Sequence, residues 1–153
     1  MLVYRICRAK YADKLDGKGA ELYGGRWNVV GTPVVYTSST RSLAALEVLA
    51  GLPQLKLPEG FVVVTVTIPV AVEILPDSAL PANWQTYPFG PETVSIGTQW
   101  ASEMKSLALS VPSSMVPDER NVLINPLHQQ AHKAEVSDIK NFIFDERLYA
   151  WER

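Results

Sequence analysis

The sequence of 153 residues predicts a single α+β domain with a mixed or antiparallel β core. Most of its predicted strands follow one another without an intervening helix, which is typical of α+β proteins and not of doubly wound parallel sheets. Hydrophobic residues make up 47% of the chain and charged residues 20%, the composition of a folded globular domain. A chain of this length can bury a core without disulfides or metals. Residues 1–153 are therefore interpreted as one domain.

Short apolar runs rich in β-branched residues predict the strands. The run that begins at Phe61 contains no charge, as expected for a strand in the middle of a sheet. The predicted strands are Leu2–Cys7, Val34–Thr37, Phe61–Ile68 with an extension over Val70–Leu75, Leu107–Val111, Asn121–Ile124 and Glu135–Asp145.

Two segments have helical patterns. The first is Thr40–Ala50, with Ser39 or Thr40 placed to cap its N-terminus. The second runs from Glu92 to about Lys105. Between them, Pro81–Pro91 is predicted to be a long loop, because it carries three prolines and no helical or alternating pattern.

Charge and cysteine content exclude several classes of protein. The formal net charge is −2 and no basic stripe is present, so direct binding to nucleic acid is not expected. Cys7 is the single cysteine, which excludes an internal disulfide and predicts a small buried hydrophobic side chain. The N-terminus lacks a secretory signal, and the apolar run Gly60–Val72 is too short for a membrane span. These features predict a cytoplasmic protein that does not bind membranes.

Glu47 departs most clearly from its surroundings, because it is the only charge between Ser42 and Gln54. A helix that is apolar all round is expected to be buried. A carboxylate on such a helix is costly unless it has partners, and such groups are often functional. Two alternatives follow: a functional carboxylate in a cleft, or a structural ion pair with Arg41 or Arg26.

Arg26 and Ser113 are weaker candidates when each is taken singly. Arg26 follows Gly24 and Gly25, and its planar guanidinium suits a phosphate or a carboxylate. The alternative is an arginine that simply leaves a turn. Ser113 and Ser114 lie between two prolines after an apolar strand, where they either hydrogen-bond a ligand or stabilise a turn.

Tyr36 and His128 are the remaining candidates. Tyr36 lies in the strand before the Glu47 helix, where its ring either stacks on a flat ligand or is half-buried in the sheet. His128 follows a strand and is interpreted as structural. No spacing of histidines, acids and cysteine predicts a metal site, and the G-x-S-x-G motif of serine hydrolases is absent.

The ordered motifs of the chain resemble those of the RES-domain family, which is named for an arginine, a glutamate and a serine. These three residues correspond to Arg26, Glu47 and Ser113, with Ser114 as a less favoured substitute for the last. The motifs are Tyr4-Arg5-Ile6, Gly17-x-Gly19-Ala20, Gly24-Gly25-Arg26-Trp27-Asn28-x-x-Gly31, Val35-Tyr36-Thr37-Ser38, Ala44-Ala45-Leu46-Glu47, Val111-Pro112-Ser113, Asn121 and Asn125-Pro126-x-His128.

The resemblance implies a fold similar to that of ADP-ribosyltransferases, with a cleft that takes NAD as substrate and no metal. It implies that Glu47 stabilises the ribose as nicotinamide leaves, that Arg26 binds the pyrophosphate or ribose, and that Tyr36 stacks on nicotinamide. The catalytic residues it implies are Arg26, Glu47 and Ser113. The NAD-binding residues it implies are Arg26, Trp27, Tyr36, Ser113 and Asn121.

The resemblance also implies the toxin of a type II toxin–antitoxin system, with an Xre-type helix-turn-helix antitoxin as its partner. NAD would be cleaved at the nicotinamide–ribose bond, with inorganic phosphate or water as the acceptor. Two alternatives remain open: ADP-ribosylation of a cellular protein, and a partner-binding module without enzymatic activity. Whether the protein forms a homo-oligomer is also open.

Overall fold

A computed structural model describes residues 1–52 and 59–148. These residues form a seven-stranded sheet and three α-helices, which confirms the predicted α+β class. The strands are β1 (Leu2–Arg8), β2 (Val35–Ser38), β3 (Phe61–Thr67), β4 (Glu73–Ile74), β5 (Ala108–Pro112), β6 (Arg120–Ile124) and β7 (Glu135–Phe142). The helices are α1 (Lys18–Tyr23), α2 (Arg41–Gly51) and α3 (Pro91–Glu103).

The strands lie in the order β4-β5-β6-β2-β1-β3-β7. All neighbouring pairs are antiparallel except β4 and β5, so the sheet is mixed, as predicted. Its register places Ser38 of β2 opposite Tyr4 of β1 on one side and opposite Asn121 of β6 on the other. Residues directly opposite each other project from the same face of a sheet. The three side chains therefore form a row across the middle of the sheet.

The first predicted helix is confirmed as α2. Thr40 is its N-cap, since the Thr40 side-chain oxygen accepts a hydrogen bond from the backbone N–H of Leu43 at 3.1 Å. The expectation that the helix is buried all round is wrong. Only Leu43 and Ala44 are fully buried where α2 packs on β1 and β2, and residues 45–49 are half-buried.

Two predicted strands are shorter than expected. In the segment 70–75, only Glu73–Ile74 pairs, at the edge of the sheet beside β5. The last strand ends at Phe142 and not at Asp145. The helix α1 lies directly before the glycine pair Gly24-Gly25.

The core consists of clusters that lie between the sheet and its covering segments. One contains Val3, Val64 and Val66, and another places Trp27 and Trp100 against β5 and β6. Cys7 is half-buried against the first cluster, and burial raises the pKa of its thiol. No helix in the described ranges is both long and apolar enough to cross a membrane.

Gly97 lets α3 pack directly on the backbone of Trp27. A Cβ added at Gly97 would overlap the Trp27 carbonyl oxygen, and both residues are buried. We expect Gly97→Ala to lower the free energy of unfolding by about 1–3 kcal/mol, the usual effect of overpacking a core. Gly19→Ala is the control, because its added Cβ meets nothing within 4 Å. Thermal and denaturant unfolding measure both variants, and equal stability of the two would contradict this packing.

Candidate active site

Glu47 extends from α2 towards two strands that lie far from it in sequence. The Ser113 hydroxyl donates to Oε1 of Glu47 at 2.7 Å, and Nδ2 of Asn121 donates to the same oxygen at 2.6 Å. Within residues 1–52 and 59–148, Glu47 forms no ion pair, and the Arg41 guanidinium lies instead 4.3 Å from the centre of the Tyr4 ring. Neutral donors therefore hold this carboxylate, and the alternative of a structural ion pair is not observed.

Ser113 supports Glu47 from behind. It directly follows β5 and has no exposed surface. Its oxygen accepts hydrogen bonds from the backbone N–H groups of Met115 and Val116, at 3.1 and 3.2 Å, and its proton is directed to Glu47. Of the two candidate serines, Ser113 is the one that reaches Glu47. Ser113 is fully buried, so its hydroxyl is not placed to contact a ligand as expected. It binds the carboxylate of Glu47 instead.

Asn121 is held in turn by Ser38, which is not among the site residues predicted from sequence. The Ser38 hydroxyl donates to Oδ1 of Asn121 at 2.7 Å, and Ser38 is only 4% exposed. The two residues face each other in the pairing of β2 with β6. No local sequence signal marks Ser38, because its partner lies 83 residues away along the chain.

Tyr36 is fixed by a tight turn that precedes it. Gly25 and Asn28 form an isolated antiparallel bridge. The Tyr36 hydroxyl accepts from the backbone N–H of Trp27 at 3.0 Å and donates to Oδ1 of Asn28 at 2.7 Å. A Cβ added at Gly25 would lie 2.6 Å from the Tyr36 oxygen, so this close approach requires glycine. Burial raises the pKa of Tyr36 far above its ordinary value, and the phenol stays neutral.

Trp27, at the tip of this turn, is packed in the interior. It is 2% exposed and lies in the core cluster that contains Trp100 and Leu123. Its ring therefore offers no face to a ligand, and the expectation that Trp27 binds NAD directly does not fit the structure. The two side chains at the tip of a two-residue turn need not share a face, so Trp27 is buried while Arg26 reaches the carbonyl groups of a separate loop.

Arg26, the other residue at the tip, holds the long loop predicted over Pro81–Pro91. Its Nη1 donates to the carbonyl oxygens of Trp84 and Thr86 at 2.7 and 3.0 Å, and its guanidinium carbon lies 5.6 Å from the centre of the Phe89 ring. Burial lowers the pKa of Arg26, while the nearby charge of Glu47 partly offsets that effect. Arg26 is thus close enough to Glu47 to interact through charge, without a direct bond.

A cavity of about 630 Å³ opens beside Glu47. This volume lies in the range of pockets that hold small molecules and cofactors. Its walls include Ser38, Tyr36, Glu47 and Asn121, but Arg26, Trp27 and Ser113 are not among the described residues that line it. Three cations and one further acid also line the cavity: Arg5, Lys14, Lys18 and Asp16. The cavity is therefore lined both by the supported carboxylate and by several positively charged residues.

The chain is thus an α+β domain with a carboxylate that neutral donors support at a cavity, and its sequence matches a known family. The sequence model of the RES domain matches residues 2–145, so the chain belongs to the RES-domain family. A protein of Sphingobium sp. (strain YBL2) named Prs ADP-ribosylating toxin is 37% identical over 145 residues, which cover 92% of this chain and 90% of that protein. A protein of Photorhabdus laumondii named Toxin Res is 38% identical over 152 residues, which cover 97% of each chain.

A solved structure is similar to the whole fold. It is the crystal structure of the M. tuberculosis MbcT-MbcA toxin-antitoxin complex, with a TM-score of 0.71 over 97% of this chain and 86% of that chain. The sequences are 17% identical, so this likeness concerns the fold alone. It confirms the α+β architecture read from the strand order.

Tyr36→Phe tests the buried phenol. Loss of two hydrogen bonds should lower the free energy of unfolding at neutral pH by about 1–3 kcal/mol. The raised pKa means that the unfolded wild type releases a proton above its ordinary value of 10 while the folded protein keeps it. Above that pH, ionisation of Tyr36 in the unfolded chain lowers the free energy of unfolding of the wild type by up to about 1.4 kcal/mol per pH unit. The variant lacks this group and does not show that loss. In denaturant titrations, the difference in the free energy of unfolding between the two proteins should be constant below pH 9 to 10 and become smaller above it. A difference that stays constant at all pH values would refute the assignment.

Proposed function

We propose that this protein is the toxin of a type II toxin–antitoxin system and that it depletes NAD by cleaving the bond between nicotinamide and ribose. The observation that carries the proposal is the carboxylate of Glu47, held by Ser113 and Asn121 at the wall of a cavity of about 630 Å³. Relatives 37% and 38% identical over most of the chain are named toxins, which supports the biological role.

The reaction needs a negative charge beside the reacting carbon. The bond between the nicotinamide nitrogen and ribose C1′ breaks, and its electron pair leaves with nicotinamide, which becomes neutral. The ribose carbon gains positive charge until an acceptor oxygen bonds to it. A fixed carboxylate stabilises that charge more in the transition state than in the substrate. Both protein donors bind Oε1 of Glu47, so we assign Oε2 to the ribose.

Tyr36 and Arg26 take supporting roles. The Tyr36 ring lines the cavity and remains uncharged, so it suits stacking on a flat cationic ring. Nη1 of Arg26 is occupied by the carbonyl oxygens of Trp84 and Thr86, which leaves its other donors for the phosphates of NAD. The cations Arg5 and Lys14 on the cavity wall add positive charge for the same groups.

The acceptor defines the reaction class. Water gives hydrolysis and inorganic phosphate gives phosphorolysis. A second candidate function is transfer of ADP-ribose to a cellular protein, which the relative named Prs ADP-ribosylating toxin favours at 37% identity. We further propose an Xre-type helix-turn-helix antitoxin as the partner, supported by the similar fold found in a toxin-antitoxin complex.

Glu47→Gln tests the carboxylate. The amide keeps the size of the side chain but removes the charge, so NAD turnover should fall at least about a hundredfold, as when other preorganised transition-state charge is lost. Glu135→Gln, an exposed acid on β7, is the matched control and should retain full activity. Nicotinamide release is measured with purified proteins whose unfolding curves agree. Undiminished turnover by folded Glu47→Gln would eliminate the proposed role.

Product identification decides the acceptor. The purified protein is incubated with labelled NAD in three mixtures. The first contains NAD alone, the second also contains inorganic phosphate, and the third also contains a cell extract that supplies possible protein acceptors. ADP-ribose without phosphate indicates hydrolysis, a phosphorylated ADP-ribose indicates phosphorolysis, and label attached to one protein indicates ADP-ribosylation. Absence of nicotinamide in all three mixtures would disprove the enzymatic proposal and leave a binding module.

A further inference from the structure

We propose that Ser38 is a positioning residue for the reaction, and that it acts on Glu47 through the side-chain amide of Asn121. The kinetic part of this inference rests on the proposed function. The geometric part rests only on two hydrogen bonds in series: Ser38 Oγ to Asn121 Oδ1 at 2.7 Å, and Asn121 Nδ2 to Glu47 Oε1 at 2.6 Å.

An asparagine amide can support a carboxylate in only one of its two orientations. With Nδ2 towards Glu47, it donates a hydrogen bond; with Oδ1 towards Glu47, two acceptors would face each other without a proton between them. A donor on the far side of the amide selects the first orientation. Ser38 supplies that donor, because its hydroxyl reaches Oδ1.

The position of Ser38 makes it a rigid anchor. Its backbone lies in the middle of the sheet, opposite Tyr4 on one side and Asn121 on the other. The side chain is 4% exposed, so bulk water has little access to its hydroxyl. A hydrogen bond that is shielded from water and anchored in a central strand restricts its partner more than an exposed one does.

As a consequence, the two oxygens of the Glu47 carboxylate have different surroundings. Ser113 and Asn121 both bind Oε1 from strands that neighbour each other in the sheet, β5 and β6. No protein donor binds Oε2 among the described residues. The two donors therefore set the rotation of the carboxylate, and Ser38 keeps one of them in place. Without Ser38, the Asn121 amide can turn and Glu47 retains only Ser113 as a reliable donor.

A double-mutant cycle tests this chain of contacts. Ser38→Ala should lower kcat for NAD cleavage about tenfold, while KM changes less than about twofold, since the Ser38 hydroxyl at the cavity wall is committed to Asn121 and not to substrate. In an Asn121→Ala background the same change should have no further effect, because Ser38 acts only through Asn121. An equal loss in both backgrounds, or a rise in KM alone, would overturn the inference.

Two variants control for general damage to the fold. Ser39→Ala removes the neighbouring hydroxyl, which makes no hydrogen bond among the described residues and does not line the cavity, and it should keep wild-type kcat. Ser38→Thr retains a hydroxyl and should recover most of the kcat lost in Ser38→Ala. Unfolding curves are recorded for all variants. Failure of folded Ser38→Thr to exceed Ser38→Ala counts against the inference.

A measurement without NAD separates this inference from the proposed function. The side-chain amide signals of Asn121 in a ¹⁵N correlation spectrum are assigned by their loss in Asn121→Ala. They should shift in Ser38→Ala and in Glu47→Gln, and stay in place in Ser39→Ala. If the wild type does not cleave NAD but these shifts occur, the proposed function fails and the positioning contact stands. If the amide signals do not move in Ser38→Ala, the positioning role is disproved whatever the activity.

Discussion

The half-buried carboxylate of Glu47 is the constraint on which the rest of the site depends. Removing a carboxylate from water costs several kcal/mol unless protein donors replace the lost hydration. An arginine could have compensated for that loss, but it would also have cancelled the charge. Here the donors are the neutral groups of Ser113 and Asn121, so the negative charge remains available to a cationic group in the cavity. The neutral donors therefore leave the charge of Glu47 unpaired among the described residues, which a structural ion pair would not do.

The order of strands brings these donors together. β2, β6 and β5 are consecutive in the sheet, and they carry or precede Ser38, Asn121 and Ser113 respectively. In sequence, Glu47 lies 66 residues from Ser113 and 74 from Asn121. The site therefore forms only when these three strands pair, and a local element cannot assemble it alone. The helix α2 contributes the acid, and long-range pairing contributes everything that supports it.

The difference between local elements and long-range strand pairing explains how much could be predicted from the sequence. The Thr40 cap and the extent of α2 are local signals, and both features were predicted correctly. The isolated charge of Glu47 is also a local signal, and the structure places that side chain at the wall of a cavity. The partners of Glu47 could not be predicted from residue patterns, because a strand sequence does not state which strand lies beside it. Resemblance to the RES family linked Ser113 and Asn121 to Glu47, but it gave Ser38 no role in the site, although Ser38 ends one of the matching motifs. The burial of Trp27 also escaped prediction, since its place depends on packing against α3, whose glycine lies 70 residues further along the chain.

Arg26 shows why proximity and bonding must be kept apart. The charge of Glu47 raises the pKa of Arg26, yet Nη1 of Arg26 is committed to the carbonyl oxygens of Trp84 and Thr86. If Arg26 instead paired directly with Glu47, both charges would be lost to a ligand. Because Arg26 is hydrogen-bonded to the loop carbonyl groups, its positive charge and the negative charge of Glu47 remain separate. The proposed substrate, NAD, carries a cationic ring and a diphosphate, so two separate centres of opposite charge suit it. The long loop is therefore part of the electrostatic arrangement of the site, although the described residues of the cavity wall do not include it.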